Sequence, residues 1–214
     1  MEIAIFGAGG FGREVKTIID EINKKSNDKY RFIGFFDDGM EKNKLVNNFS
    51  VLGGISELNS WQTELSVVLA IGSPATKAAV LSKIVNPRIN FPTLVHPNTS
   101  ISDDFIEIGK GCIICEGTIL TCNIKVGDFV IFNLTCTVGH DSIIGDNCSF
   151  MPGVNVSGEV NISAGVYVGT GAKIINQVEI GPNTIVGAGA VVSKSLPGNC
   201  TAVGVPAKPI KFHQ

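Results

Sequence analysis

An imidazole beside a carboxylate is the arrangement in this chain with the clearest capacity for chemistry. The two stand side by side in Asn133-Leu-Thr-Cys-Thr-Val-Gly-His140-Asp141. Histidine titrates near neutral pH, so it can take a proton from an amine or hydroxyl that attacks a thioester. A neighbouring carboxylate stabilises the imidazolium that forms and raises the basicity of the ring. Spacing alone favours a solvated corner residue. His96 precedes Pro97 at a junction and reads as structural, and His213 falls in the tail. These three histidines are not spaced to converge on one metal ion.

A second group of residues suits phosphate and hydroxyl recognition. The apolar run Glu2 to Phe6 leads into Gly7-Ala8-Gly9-Gly10-Phe11-Gly12, which opens a helical pattern carrying Val15, Ile18, Ile19 and Ile22. Free N–H groups at such a helix start can receive a phosphate. Asp37-Asp38 closes a second apolar run and can accept hydrogen bonds from a ribose or sugar hydroxyl, while Gly72 closes a third. The same glycines could serve only a tight turn and close packing. A dinucleotide cofactor is not expected, because residues 1–95 are short for a complete NAD domain. Nor is a metal site: Cys112-x-x-Cys115 has no second pair to complete it.

The elements that position these residues follow from two periodicities. Strand-like runs alternating with helical patterns in residues 1–95 predict a small, Rossmann-like parallel α/β sheet, whose ligands sit at the carboxyl ends of its strands. From Ile108 every sixth residue through Val192 is large and apolar, fifteen in a row. With 44% hydrophobic residues, chance gives such a row roughly once in several hundred thousand trials. A period of six fits neither a helix nor a plain sheet; it calls for short strands joined by regular corners, three to a coil. The residue two before each beat forms a smaller inward row, including Cys112, Cys136 and Cys148, which there act as compact hydrophobes. Fifteen strands make about five coils, stacked to about 24 Å at ordinary strand spacing. Glycines directly after the beat, such as Gly139 and Gly145, are expected to supply backbone freedom at the corners.

Composition excludes some functions. The net charge of −2 offers no electrostatic case for nucleic acid or an anionic membrane. No apolar run approaches the length of a membrane span and no leader pattern precedes the first strand, so a cytoplasmic protein is expected.

Gly7 to Gly12, Asp37-Asp38, Ala70-Ile71-Gly72 and the hexapeptides together resemble, over essentially the whole chain, the hexapeptide-repeat sugar O/N-acyltransferases of the sialic-acid acetyltransferase type. That group includes N-acetyltransferases of nucleotide-linked 4-amino-6-deoxy sugars in surface-glycan, O-antigen and lipopolysaccharide synthesis. The resemblance implies that residues 96–214 form an all-β left-handed parallel β-helix, although parallel crossovers in general prefer the right hand. It implies a homotrimer with active sites between subunits, acetyl-CoA as co-substrate, and an N-terminal domain that holds the nucleotide-linked amino sugar. His140 would be the general base and Asp141 its tuning acid. Gly9, Gly10 and Phe11 would meet the sugar-nucleotide phosphates, Asp37 and Asp38 the uracil or ribose, Gly72 the same cleft, and Asn133 the sugar amine. Ser149, Gly158, Thr170, Ala188 and, in the tail motif Gly204-Val205-Pro206-Ala207-Lys208, Lys208 would contact the coenzyme. Phe11 departs from the histidine that several members place there, which opens the identity of the nucleotide sugar. O-acetylation of sialic acid or another hydroxyl remains a rival, as does a non-catalytic nucleotide-binding trimer.

Overall fold

The computed structural model describes residues 1–27 and 29–213. Its first part comprises β1 (Glu2–Phe6), α1 (Gly10–Lys25), β2 (Arg31–Phe36), β3 (Leu45–Val46), β4 (Phe49–Gly53), α2 (Ile55–Asn59), β5 (Leu65–Leu69), α3 (Pro74–Leu81) and β6 (Ile89–Asn90). The sheet runs β3-β4-β2-β1-β5-β6, parallel throughout except for the β3–β4 pair. Every residue of β5 and all but the first of β1 are buried, as expected for central strands covered on both faces. Helix α1 buries Val15, Ile18, Ile19 and Ile22, the stripe its sequence spacing predicts.

From Leu94 onward the chain winds into a left-handed parallel β-helix with three faces. Pairs such as Ile113–Ile114, Ile131–Phe132 and Ser149–Phe150 stack on face one, Ile119–Leu120 and Thr137–Val138 on face two, and Ile143–Ile144 and Asn161–Ile162 on face three. One coil takes 18 residues, because Phe132 pairs with Phe150 and Val138 with Val156. The apolar beat therefore forms three vertical columns inside the prism. In one of them the Phe132 and Phe150 rings stack with centroids 4.9 Å apart. From Ile114 onward every beat residue is buried.

Two expectations are corrected. The prism has six coils rather than about five: Val95 and Ile101 begin it, and Leu196 closes the sixth by bridging to Ile180. The first coil escapes a strict period of six because Ile101 and Ile108 are seven apart; the corner between them includes Phe105, left 83% exposed with φ 52°. Glycine after the beat also has a different cause. A Cβ on Gly139 would stand 2.6 Å from the Gly158 nitrogen of the next coil, so close approach of coils excludes a side chain there. The left-handed backbone lies two residues further on, at Asn123, Thr135, Asp141, Asn147, Glu159 and their equivalents.

The inward cysteines are structural. The Cys112, Cys136 and Cys148 thiols donate to the carbonyls of Gly127, Met151 and Ser163 in the next coil, at 3.2, 3.3 and 3.1 Å. Burial pushes their pKa up to about 11, 11 and 12. Cys115 packs instead in the apolar cluster shared with α1, so the Cys112/Cys115 pair faces two different cores.

The two parts join along face one. Leu94, Ile113, Cys115 and Ile131 share a buried cluster with Val15, Ile18 and Ile19. Beside it, Asn147 Nδ2 donates to Pro74 O at 2.8 Å, and Lys77 Nζ donates to Ser149 Oγ at 3.2 Å and Cys148 O at 3.4 Å. Lys77 is 1% exposed and has no carboxylate partner among the described residues. Burial pulls its pKa down to about 8. Below that pH the folded protein carries a buried charge. Between about pH 8 and 10.5 the folded chain has released a proton that the unfolded chain keeps, so this penalty fades as pH rises. Lys77→Met is therefore expected to stabilise the protein at pH 7 by about 1–3 kcal/mol. Urea unfolding of both proteins should show this advantage shrinking from pH 8 to 10; a constant difference would contradict the account.

Candidate active site

His140 lies on the corner between faces two and three, two residues past the inward Val138. Asp141, next to it, takes the left-handed corner conformation at φ 57°. The turn swings its carboxylate beside the preceding ring, and Asp141 Oδ2 stands 2.8 Å from His140 Nδ1. That contact fixes Nδ1 as the protonated nitrogen when the ring is neutral and leaves Nε2 as the basic one. Asp141 Oδ1 accepts from Asn123 Nδ2 at 3.0 Å, one coil below. Hydrogen bonds from His140 and then Asn123 hold the Asp141 carboxyl below its ordinary range, so it is ionised throughout neutral pH. Both side chains are about half exposed, and substrate can reach the ring directly.

Gly158 stands one coil above His140. A Cβ there would lie 2.6 Å from both Cε1 and Nε2 of the imidazole, so the ring rests against bare backbone. This glycine supports the imidazole, a role beyond the coenzyme contact that the resemblance implies.

The N-terminal candidates cluster at the carboxyl ends of β1, β2 and β5, where the sequence put them. Gly9 has open space around its Cβ position, and Gly10 meets only the Arg13 guanidinium, at 3.9 Å. Gly7 and Gly12 have the other role: Gly7, at φ +107°, abuts Ala70 O, and Gly12 packs on Gly7 itself. Phe11 lies partly buried against the α1 cluster. Asp37 spends both oxygens on backbone, accepting from Ala8 N and Gly39 N at 2.8 Å each. Asp38 Oδ1 caps α2 by accepting from Ile55 N at 2.8 Å. The two acids thus shape the glycine loop and the α2 start, and Asp38 Oδ2 is the oxygen left without a protein donor among the described residues.

Gly72 lines a cleft of about 720 Å³ between the start of α3 and face one, with Ser73, Pro74, Met151, Tyr167 and Asn183. His213 also lines it, its Nε2 3.0 Å from Thr201 Oγ1, so the tail histidine belongs to a cleft wall. His96 is buried and accepts from Asn98 N, a structural role.

The remaining candidates separate onto different sides of the prism. Asn133, Thr170 and Ala188 lie on the corner between faces one and two, with Thr170 and Ala188 exposed. Asn133 is buried, and its Oδ1 accepts from Leu134 N at 2.7 Å, one corner away from His140 in the same coil. Ser149 contradicts its expected coenzyme role: it is fully buried on face one, where Lys77 occupies its hydroxyl. The resemblance that implied its coenzyme role carries no information on which outward face the N-terminal part covers. Lys208 is exposed on the antiparallel return strand Lys208–Phe212 that closes the sheet of face one. Sequence reasoning missed Asn123, Arg13 and the support role of Gly158. For Asn123 and Gly158 the signal was available: each is 18 residues from a member of the pair.

Gly158→Ala is expected to push the imidazole off Asp141. Its clash is with the end of a side chain, so the melting temperature should change little while kcat falls on the order of 10²-fold. Parallel thermal unfolding and steady-state kinetics check both halves.

Residues 2–84 match the PglD N-terminal domain family, and residues 159–194 the bacterial transferase hexapeptide family of six repeats. A GDP-perosamine N-acetyltransferase of Escherichia coli O157:H7 is 34% identical, over 97% of this chain and 95% of its own length. Among solved structures, WeeI from Acinetobacter baumannii AYE superposes with a TM-score of 0.88 at 33% identity, covering 98% of this chain and 100% of that one. PerB from Caulobacter crescentus, in complex with CoA and GDP-perosamine, superposes with a TM-score of 0.87 at 27% identity, covering 99% of this chain and 98% of that one. With an exposed His-Asp pair on its β-helix and relatives matched from end to end, the chain is an acyltransferase and belongs to the hexapeptide-repeat sugar O/N-acyltransferases that carry a PglD-type N-terminal domain.

Proposed function

We propose that this enzyme transfers the acetyl group of acetyl-CoA to the 4-amino group of a nucleotide-linked amino-deoxy sugar, in the cytoplasm, as a step of surface-glycan synthesis. The observation that carries the proposal is the His140 ring, tied to Asp141 through Nδ1 and with Nε2 free of any bonded partner among the described residues. Its full-length relative is a GDP-perosamine N-acetyltransferase, and PerB binds CoA and a nucleotide-linked amino sugar, which supports the same substrate classes here.

In the proposed reaction the amine nitrogen attacks the thioester carbonyl, the C–S bond breaks and a C–N bond forms. His140 Nε2 takes the proton that the amine must lose, and Asp141 stabilises the imidazolium through Nδ1. The proton then passes to the departing thiolate, so CoA leaves as a thiol. Gly9, Gly10 and the Arg13 guanidinium offer space, backbone N–H groups and positive charge for the phosphates of the acceptor's nucleotide. Asp38 Oδ2 is available to a hydroxyl or base N–H.

Two placements support a homotrimer with sites between subunits. Gly72 and its cleft lie toward the corner between faces three and one, whereas His140 is on the corner between two and three. Gly158 shares the His140 edge, while Thr170 and Ala188 share another. A coenzyme touching both sets is naturally accommodated by apposing two edges from neighbouring subunits, with Lys208 free to meet one of its phosphates.

Thiol release from acetyl-CoA should be measured with UDP-, dTDP- and GDP-linked 4-amino-6-deoxy sugars and with free sialic acid. Turnover of an amino sugar is expected, with kcat falling about 10³-fold in His140→Ala. Turnover confined to sialic acid would establish O-acetylation instead, and no thiol release with any acceptor would overturn the catalytic reading.

A further inference from the structure

The His140–Asp141 pair rests on a third residue in the coil below. Asn123 and Asp141 are 18 residues apart and occupy the same corner in successive coils, both in the left-handed conformation, at φ 53° and 57°. Stacking at that position brings Asn123 Nδ2 to 3.0 Å from Asp141 Oδ1, while Asp141 Oδ2 faces His140 Nδ1 at 2.8 Å. The backbone reinforces the arrangement: Asp141 N donates to Cys122 O, and Glu159 N donates to His140 O. A half-exposed carboxylate rotates about its Cβ–Cγ bond unless something holds it, and water competes for both oxygens. Asn123 occupies one oxygen and so points the other at the ring.

We propose that Asn123 is a positioning residue for catalysis: it orients the Asp141 carboxylate, which in turn fixes the tautomer of His140 with Nε2 as the base. The inference rests on the general-base reading above. Asn123 reaches no substrate through this contact and acts only through Asp141. Other ionisable groups near the pair are Glu159 one coil above, whose carboxylate is taken by Gln177 Nε2 at 3.0 Å, Cys122 beside Asn123, and Asp104, whose carbonyl accepts from Asn123 N at 3.0 Å. None of them makes a side-chain hydrogen bond to Asp141 in place of Asn123 among the described residues.

Two variants separate orientation from architecture. Asn123→Gly removes the amide and tolerates positive φ, where alanine would be strained. Asn123→Asp keeps the size and the tolerance of that backbone but turns the donor into a repelling carboxylate. The tautomer of His140 is read by nitrogen-15 NMR of the ring in the full-length protein without substrate, so the result does not depend on any assumed acceptor. The wild type is expected to show the neutral ring protonated at Nδ1, and both variants a mixture of tautomers. With the acceptor that the wild type turns over, kcat should fall about ten-fold, with KM for both substrates and the melting temperature nearly unchanged. An unchanged tautomer and an unchanged kcat in both variants would overturn the inference. Loss of the melting transition in Asn123→Asp with normal kcat in Asn123→Gly would also overturn it, by showing a structural role only. Absence of turnover in the wild type itself would instead count against the general-base reading, and the NMR result would still decide whether Asn123 sets the tautomer.

Discussion

One constraint governs the regular part of the β-helix: a coil closes after 18 residues and the next coil lies one strand spacing above it. Positions 18 apart must therefore be compatible as vertical neighbours. Apolar side chains stack inside, as Phe132 does on Phe150. Inward thiols and hydroxyls find carbonyl acceptors in the next coil, as Cys136 does at Met151 and Ser142 at Ser157. Glycine is required wherever the backbone above comes too close for a Cβ, as at Gly139. No coil can satisfy these requirements alone, so the stack forms one cooperative core.

The His140–Asp141 pair depends on the same constraint. A corner residue in the left-handed conformation turns its side chain toward the residue before it, which is how Asp141 reaches His140 from the adjacent position. Vertical stacking then supplies support from both sides, Asn123 below the carboxylate and Gly158 above the ring. A His-Asp pair on a mobile loop would lose time to misorientation; here the pair is half exposed while its backbone belongs to a hydrogen-bonded ladder. Because both groups are half exposed, solvent screens their mutual attraction, and geometry matters more to the pair than raw Coulomb energy.

The sequence displayed much of this and concealed the rest for identifiable reasons. The beat from Ile108 to Val192 announced the prism because burial inside a triangular coil demands large apolar groups at that period. The first coil was hidden by one extra corner residue near Phe105, which shifts the register without disturbing the stacking of Val95 under Ile114. His140 and Asp141 were legible as adjacent residues. Asn123 was not, because its partnership crosses a coil and becomes visible only when residues are paired at 18. The coenzyme role that the resemblance implied for Ser149 fails because the repeat shows which residues point outward but not which outward face the N-terminal part covers. Asp37 and Asp38 lay where a ligand would need acids, yet backbone N–H groups of the glycine loop and α2 claim most of their capacity.

The proposed reaction requires the two parts of the chain to keep a fixed relation, because one would hold a substrate that the other deprotonates. The apolar cluster of Leu94, Ile113 and Ile131 against α1 supplies non-directional attraction and would tolerate sliding. Directional bonds remove that freedom at α3. Pro74 at its first turn and Lys77 one turn later are both held by the consecutive residues Asn147, Cys148 and Ser149. Helix α3 begins directly after Gly72 and Ser73, which line the cleft. The same three residues follow His140 around the coil, one side of the prism further on. The wall of that cleft is thus tied to the winding that carries His140. A buried lysine with no carboxylate partner among the described residues is costly for stability at neutral pH, and its hydrogen bonds to Ser149 and Cys148 tie α3 to the coil.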